Sequence, residues 1–287
     1  MASPSGPVAY THVPPPWTLH GDVYALVFWT PRSVAERLPE HTFSPLEGRS
    51  DFAAPPGSRP GPGLGMIQLV RYRDSPVGPY DELIFTPCPW SWQREGDDGR
   101  RVHGTSQRIT RIYVSQPYTC YNGRRNWGVP KHLARFDWTD NPDGSTSVKV
   151  FPHDTTPDAT EASPSTTPLL QATFKPVPYL PRFPFSTGWL DYIGISTKVV
   201  MPPLPAGSGS LGELPSSDKW VSIAPLESSS KTSVGWFDLA QGDHPPAPDC
   251  PNFWPGLGRW QLGIKMEDAV IEFGDPLAVW DTPKSSL

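Results

Sequence analysis

Thirty-nine prolines are spread through the 287 residues of this chain, and they limit what it can fold into more than any other feature. A proline fixes φ, lacks the amide hydrogen and breaks helix interiors and central sheet ladders. At this spacing few long helices survive, and the aromatic and β-branched runs between the prolines read as strands ended by fixed turns. Twelve Trp, twelve Phe and nine Tyr supply large side chains for a core. A chain of this length can bury such a core without disulfides or metals. A single domain over residues 1–287 is expected, with residues 1–18 as an extended N-terminal arm.

Residues 23–29 (VYALVFW) read as a buried strand, and residues 31–38 as a short helix with Pro31 at its first position. Residues 51–65 can only be loop. Strand signals follow at 65–73, 82–86, 108–116, 134–138, 147–151, 169–175, 192–201, 220–224, 233–239, 259–265 and 269–273. Turns separate them about every ten residues, the pattern of a barrel or sandwich. Residues 93–101 (QREGDDGRR) form a polar hairpin tip, and Asn141-Pro-Asp-Gly144 joins two strands with its turn chemistry written out. Residues 154–168 and 202–217, rich in Pro, Ser, Thr and Gly, are expected as flexible loops.

Several functions lack a foothold. The net charge of −5 and the short, separated arginine clusters give no basic stripe for nucleic acid. Cys88, Cys120 and Cys250 are neither a disulfide framework nor a zinc pattern, and suit a reducing compartment. The N-terminus has neither a basic nor an apolar signal region, and the longest apolar stretch is too short to span a bilayer. The expectation is a cytoplasmic protein with no membrane partner. Gly207-Ser-Gly-Ser-Leu-Gly212 matches a phosphate-loop pattern only on paper, because prolines stand where the flanking strand and helix should be. The histidines form no metal set, so neither metal nor cofactor is expected.

What remains is Gly123-Arg-Arg-Asn-Trp-Gly-Val-Pro-Lys-His-Leu-Ala134. Its Lys131 follows a proline in an apolar stretch. A lysine amine is nucleophilic only when neutral, which burial or a nearby positive charge can achieve.

In Gly123, Arg124, Pro130, Lys131 and Leu133 this segment resembles the Gly-Arg…Pro-Lys-Lys-Leu signature of acetoacetate decarboxylases. Gly78-Pro-Tyr-Asp-Glu82 is similar to the family's Tyr-x-Glu element, with Glu82 at the place of its active-site carboxylate. The resemblance covers most of residues 20–150 and implies a mainly β fold: an antiparallel, cone-shaped barrel with flanking strands and a few short helices, its interior holding the lysine. It implies that Lys131 forms a Schiff base with a small-molecule carbonyl substrate while Glu82 holds or relays a proton. His132, Arg124, Trp127 and Tyr80 would bind substrate or act electrostatically, and a homo-oligomer is open. Acetoacetate decarboxylase is itself the standard example of a lysine activated by a cationic neighbour. Here His132 stands for the family's second lysine, Arg125 for a glutamate and Val129 for an aromatic. Gly21 and Asp22 occupy the neighbourhood of the family's substrate-carboxylate arginine. The expected reaction is therefore decarboxylation of a β-keto acid other than acetoacetate. Aldol, dehydration or cyclisation chemistry on the same lysine is the first alternative, and a non-catalytic barrel binding an apolar molecule the second.

Overall fold

The computed structural model describes residues 10–96, 98–154, 163–209 and 211–282. Its strands in chain order are β1 (Trp17–Thr30), β2 (Gly63–Asp74), β3 (Tyr80–Thr86), β4 (Pro89–Glu95), β5 (Arg101–Gln107), β6 (Arg111–Val114), β7 (Lys131–Asp140) and β8 (Thr146–Pro152). There follow β9 (Leu170–Pro176), β10 (Phe183–Ser186), β11 (Val199–Met201), β12 (Trp220–Ile223), β13 (Leu226–Asp238), β14 (Trp260–Phe273) and β15 (Ala278–Trp280). Three short α-helices, α1 (Arg32–Ala35), α2 (Pro45–Gly48) and α3 (Pro117–Trp127), lie between them.

Nine strands close into a barrel in the order β13-β14-β1-β2-β3-β6-β7-β8-β9, where β9 pairs back onto β13. An odd ring cannot alternate direction all the way round, so one parallel neighbour is obligatory. It is β6–β7, with Ile112 opposite Lys131, and every other pair in the ring is antiparallel. A parallel pair needs a crossover, and α3 supplies it. A second, five-stranded sheet (β15-β12-β11-β5-β4) completes the mainly β architecture expected from the sequence.

Strand alternation sorts the core into two layers. Tyr24, Leu26, Ile67, Leu83, Phe85, Tyr113, Val150, Ala172 and Phe237, drawn from all around the ring, fill its interior. Trp17, Leu19, Tyr72, Tyr80, Ile84 and Ile112 face the other way. They pack with Cys120 and Trp127 of α3, and with Met201, Val221 and Ile223 of the second sheet. The molecule thus has a second core between the barrel wall and the layer that covers it.

Several local expectations change. The runs 259–265 and 269–273 are one strand, β14, interrupted by a bulge where Asp22 faces both Glu267 and Asp268; Asp268 has φ +47° there. The run 192–201 is a 3₁₀ turn (Thr187–Ile193) closed by Gly194 in the left-handed region, and only β11 remains as strand. The tip at 93–101 joins two full strands, β4 and β5, whose polar faces hid them; residue 97 lies outside the described residues. Residues 1–9 of the arm and 155–162 of the 154–168 loop also lie outside them. From residue 10 the arm is tied down: Val13 N–H donates to Asn122 Oδ1 (2.8 Å), and Tyr10 packs on Tyr118 and Tyr121. Residues 202–217, of which residue 210 is not described, have irregular backbone but bury Leu204, Glu213 and Leu214.

A buried charge cluster clamps the crossover. Glu47 of α2 accepts Arg124 Nη1 on Oε1 (2.9 Å) and pairs with His132 Nε2 through Oε2 (2.6 Å). Arg124 also donates to the carbonyls of Pro205, Pro215 and Lys131. Burial alone would raise the Glu47 carboxyl, but His132 and Arg124 outweigh it and hold it at about 2. A carboxyl depressed in the folded state contributes stability that is present above pH 4.5 and lost as pH falls from there towards 2. Glu47→Gln should lose about 3–5 kcal/mol of stability at pH 7, measured by urea denaturation, because the buried Arg124 guanidinium loses its ionic partner and His132 its carboxylate. Its stability should also fall less than wild type's between pH 4.5 and 2.

Candidate active site

Helix α3 starts and stops on local signals. Gln116 caps it, its side-chain oxygen accepting from the Tyr118 and Thr119 amides, and Pro117 takes the first turn. Gly128 ends it in the left-handed region (φ +62°), its N–H bonded to Arg124 O. Pro130 disfavours helical backbone at Val129 before it, and the chain enters β7 at Lys131. Consecutive strand residues point to opposite faces. Lys131 and Leu133 face the second core, whereas His132 faces Glu47 and Tyr113.

The amine is enclosed. Lys131 Nζ lies 2.6 Å from Glu82 Oε2 and donates to Thr119 Oγ1 at 2.9 Å, with the Tyr80 ring centroid 5.1 Å away. Lys131 is 5 % exposed and Glu82 1 %. Glu82 Oε1 accepts from the Tyr72 hydroxyl at 3.1 Å. Desolvation, reinforced by the Glu82 charge, pushes the phenols of Tyr72 and Tyr80 well above their ordinary range, so both stay un-ionised. The lysine stem passes directly under α3, where a Cβ on Gly123 would come 2.6 Å from Lys131 Cδ. This is the physical reason for the glycine in the Gly-Arg pair.

Lys131, Glu82, Tyr80 and Trp127 line one cavity of about 180 Å³, whose remaining wall is mostly apolar. It lies between the barrel wall and its covering layer, not in the interior of the nine-strand ring where the lysine was expected. Strand parity decides this, because Tyr80, Glu82 and Ile84 alternate with the interior residues Leu83 and Phe85. Arg124 and His132 do not line the cavity; both are engaged with Glu47. Among the described residues, Lys131 is the single cationic one on the cavity wall.

Sequence reasoning missed four polar residues here: Thr119, Tyr72, Gln68 and Glu227. Gln68 and Tyr72 share the parity of the cavity-facing residues of β2, which was readable once that face was known. Glu227 sits in an undistinguished Leu-Glu-Ser-Ser run, and only the closure of β13 into the barrel brings it to the site. Gln68 Nε2 donates to both its oxygens (2.7 and 2.8 Å). Burial, with a contribution from Glu82, raises the Glu227 carboxyl to about 7 against the Gln68 hydrogen bond.

No protein-family model matches the sequence. Among solved structures, the acetoacetate decarboxylase of Legionella pneumophila subsp. pneumophila str. Philadelphia 1 aligns with a TM-score of 0.57 at 12 % identity, over 97 % of this chain and 94 % of that one. A second acetoacetate decarboxylase structure gives 0.57 at 12 % identity, over 95 % and 93 %. An acetoacetate decarboxylase-like enzyme from Sphingomonas wittichii RW1 gives 0.52 at 11 %, over 93 % of each chain. The chain therefore has the acetoacetate decarboxylase fold. Among curated proteins, NEOXANTHIN-DEFICIENT 1 of Oryza sativa subsp. japonica is 30 % identical over 86 residues, 27 % of this chain and 22 % of that protein. Its namesake from Arabidopsis thaliana is 26 % identical over 138 residues, 45 % and 39 %. The chain spans less than half the length of these curated relatives. Among the described residues, no helix is long and apolar enough to cross a membrane.

Gly123→Ala should lose about 1–3 kcal/mol in urea denaturation, because the new methyl must displace the buried lysine stem. Gly274→Ala, where a Cβ meets nothing within 4 Å, should stay within about 0.5 kcal/mol of wild type.

Proposed function

We propose that this chain is a Schiff-base enzyme acting on a small carbonyl compound, with Lys131 as the amine and Glu82 as the proton-transfer group. The observation that carries the reading is a buried amine, 2.6 Å from a carboxylate, at the wall of a largely apolar cavity. Before attack the ammonium must shed a proton, and Glu82 is within reach to take it. The nitrogen lone pair then forms a C–N bond to the carbonyl carbon, and the carbonyl oxygen takes up a proton. Loss of that oxygen as water leaves an iminium. The electron pair of the next bond, whether C–CO₂⁻, C–C or C–H, can then flow to the iminium nitrogen. The fragment departs as carbon dioxide, a second carbonyl compound or a proton. Protonation of the enamine carbon and hydrolysis by one water release product and restore Lys131. Tyr72 holds Glu82 through its hydroxyl, and the Tyr80 ring lies beside the amine.

His132 is assigned a structural part in this reading, through Glu47. No second positive charge stands beside the amine to favour its neutral form; enclosure is left to do that, and the Glu82 carboxylate, whose charge favours the ammonium, serves as the proton acceptor. Decarboxylation of a keto acid would in addition require the cavity to accept a carboxylate beside Glu82 and Glu227. Cleavage of C–H or C–C bonds does not. The name of the plant relatives refers to a deficiency in neoxanthin and assigns no reaction. A binding-only barrel is the competing reading, supported by the apolar walls and by the complete pairing of the amine.

Borohydride reduction in the presence of methyl ketones or keto acids should leave one adduct per chain, of mass ketone minus water plus two hydrogens, on the peptide holding Lys131. Lys131→Ala should give none. In Glu82→Gln the adduct should form about 100-fold more slowly. Absence of an adduct from every carbonyl compound, with a ligand still bound, would establish the binding-only reading instead.

A further inference from the structure

The cavity is unbalanced in charge in a way that the lysine chemistry does not use. Its wall carries two carboxyl groups, Glu82 and Glu227, against the single amine of Lys131. Glu82 and Lys131 neutralise each other at 2.6 Å. Glu227 is left over: among the described residues, Gln68 is the one side chain hydrogen-bonded to its carboxyl group, and no lysine, arginine or histidine pairs with that group. It is partly exposed, into the cavity, while protein packs around the rest of the side chain. Its main chain is pinned to the Thr187 hydroxyl, its N–H donating at 2.9 Å.

Placement gives this pair a relation to the reacting amine. Gln68 on β2 lies opposite Ile84 of β3, one step along the same face from Glu82, whose partner is Val70. Diagonal neighbours of this kind are about 7 Å apart, the reach of a few carbon–carbon bonds. The other groups that bear on Glu227 are acidic or neutral: Glu82 raises it electrostatically, and Tyr72 beyond is an un-ionised phenol.

We propose that Glu227, positioned by Gln68, is the group that selects the ligand: it hydrogen-bonds an oxygen of an uncharged, mainly apolar carbonyl compound and excludes carboxylates. The proposal rests on the Schiff-base reading for the role of the carbonyl and adds the substrate class. A carboxylate entering the cavity would find, among the described residues, no cation that is not already paired, and would meet at Glu227 a second group able to ionise. An uncharged ketone or aldehyde meets no such repulsion and can accept the Glu227 proton, for which the protein offers no other acceptor among the described residues. With its carboxyl at about 7, Glu227 is mostly a donor at pH 6 and mostly ionised at pH 8. The reactions left open to Lys131 are then cleavage or formation of C–C and C–H bonds next to the iminium.

The test is calorimetric titration of the whole chain with 2-octanone and with 7-oxooctanoate, which share a methyl ketone and differ in the terminal carboxylate. Wild type should bind 2-octanone about tenfold more tightly at pH 6 than at pH 8, following the protonated fraction of a group near 7. At both pH values 7-oxooctanoate should bind at least about 100-fold more weakly. Glu227→Gln keeps the shape and a neutral donor, so it should bind 2-octanone equally at both pH values. Glu227→Leu should lose about tenfold at pH 6 and also become pH-independent, with the thermal midpoint of each variant reporting that it folds. Equal binding of the two compounds, no binding of 2-octanone, or a tenfold pH effect retained in Glu227→Gln would overturn the proposal. Borohydride trapping of 2-octanone separates the two ideas. Sorting without an adduct sinks the Schiff-base chemistry alone, and an adduct without sorting sinks the role of Glu227 alone.

Discussion

The carboxylate of Glu47 ties the crossover helix and the strand after it to a segment 77 to 85 residues earlier in the chain, and the position of the Lys131 amine depends on it. One oxygen holds Arg124 near the end of the crossover helix, and the other holds His132 on the strand that follows. Between them lie the helix stop at Gly128 and the entry into β7 at Lys131. With both sides clamped to one rigid group, Lys131 emerges at a fixed point on the barrel wall, opposite Glu82. Removing a guanidinium, an imidazole and a carboxylate from water is expensive, and such a cluster persists only if every member is satisfied. Here the guanidinium is satisfied further by three main-chain carbonyls, two of them in the proline-rich 202–217 segment. One cluster therefore orders the helix, the strand and the loop that closes over them.

This arrangement reassigns the Gly-Arg…Pro-Lys-His segment. Its residues fall into two groups by direction. Gly123 and Lys131 meet beneath the helix, where the glycine leaves space for the lysine stem. Arg124 and His132, each next to one of these in sequence, turn to the other side and bind Glu47. A histidine one residue after the lysine therefore does not stand beside the amine, since consecutive strand positions face apart. The groups that do surround the amine, Glu82, Thr119 and Tyr80, come from β3 and α3.

The odd number of strands has a functional consequence as well. It obliges one parallel pair, that pair obliges a crossover helix, and the helix covers part of the barrel's outer wall. The cavity arises in the second core so created, walled by β1, β2 and β3 and closed by residues of α3, β11 and the 187–197 segment. A ring of even count, antiparallel throughout, would need no such cover.

The chain's own pattern was enough to establish a mainly β protein, most of its strands and the 141–144 turn; Lys131 with Glu82 came forward as the residues to examine through the resemblance to acetoacetate decarboxylases. Alternation, turn chemistry and proline spacing are local properties, and local reading recovers them. Helix α3 was not recovered, although Gln116-Pro117 and Gly128 mark its ends. Its buried residues are Thr119, Cys120, Asn122, Gly123, Arg124 and Trp127, half of them polar and hydrogen-bonded, so the segment carries no clear hydrophobic period. The tertiary structure alone decided which face of each strand meets the cavity, that the lysine lies outside the ring and not within it, and that Glu227 arrives from β13 to leave the pocket with one carboxyl too many. These are consequences of ring closure and strand parity. Both are set by pairings between distant segments, and a one-residue slip in register would reverse every one of them.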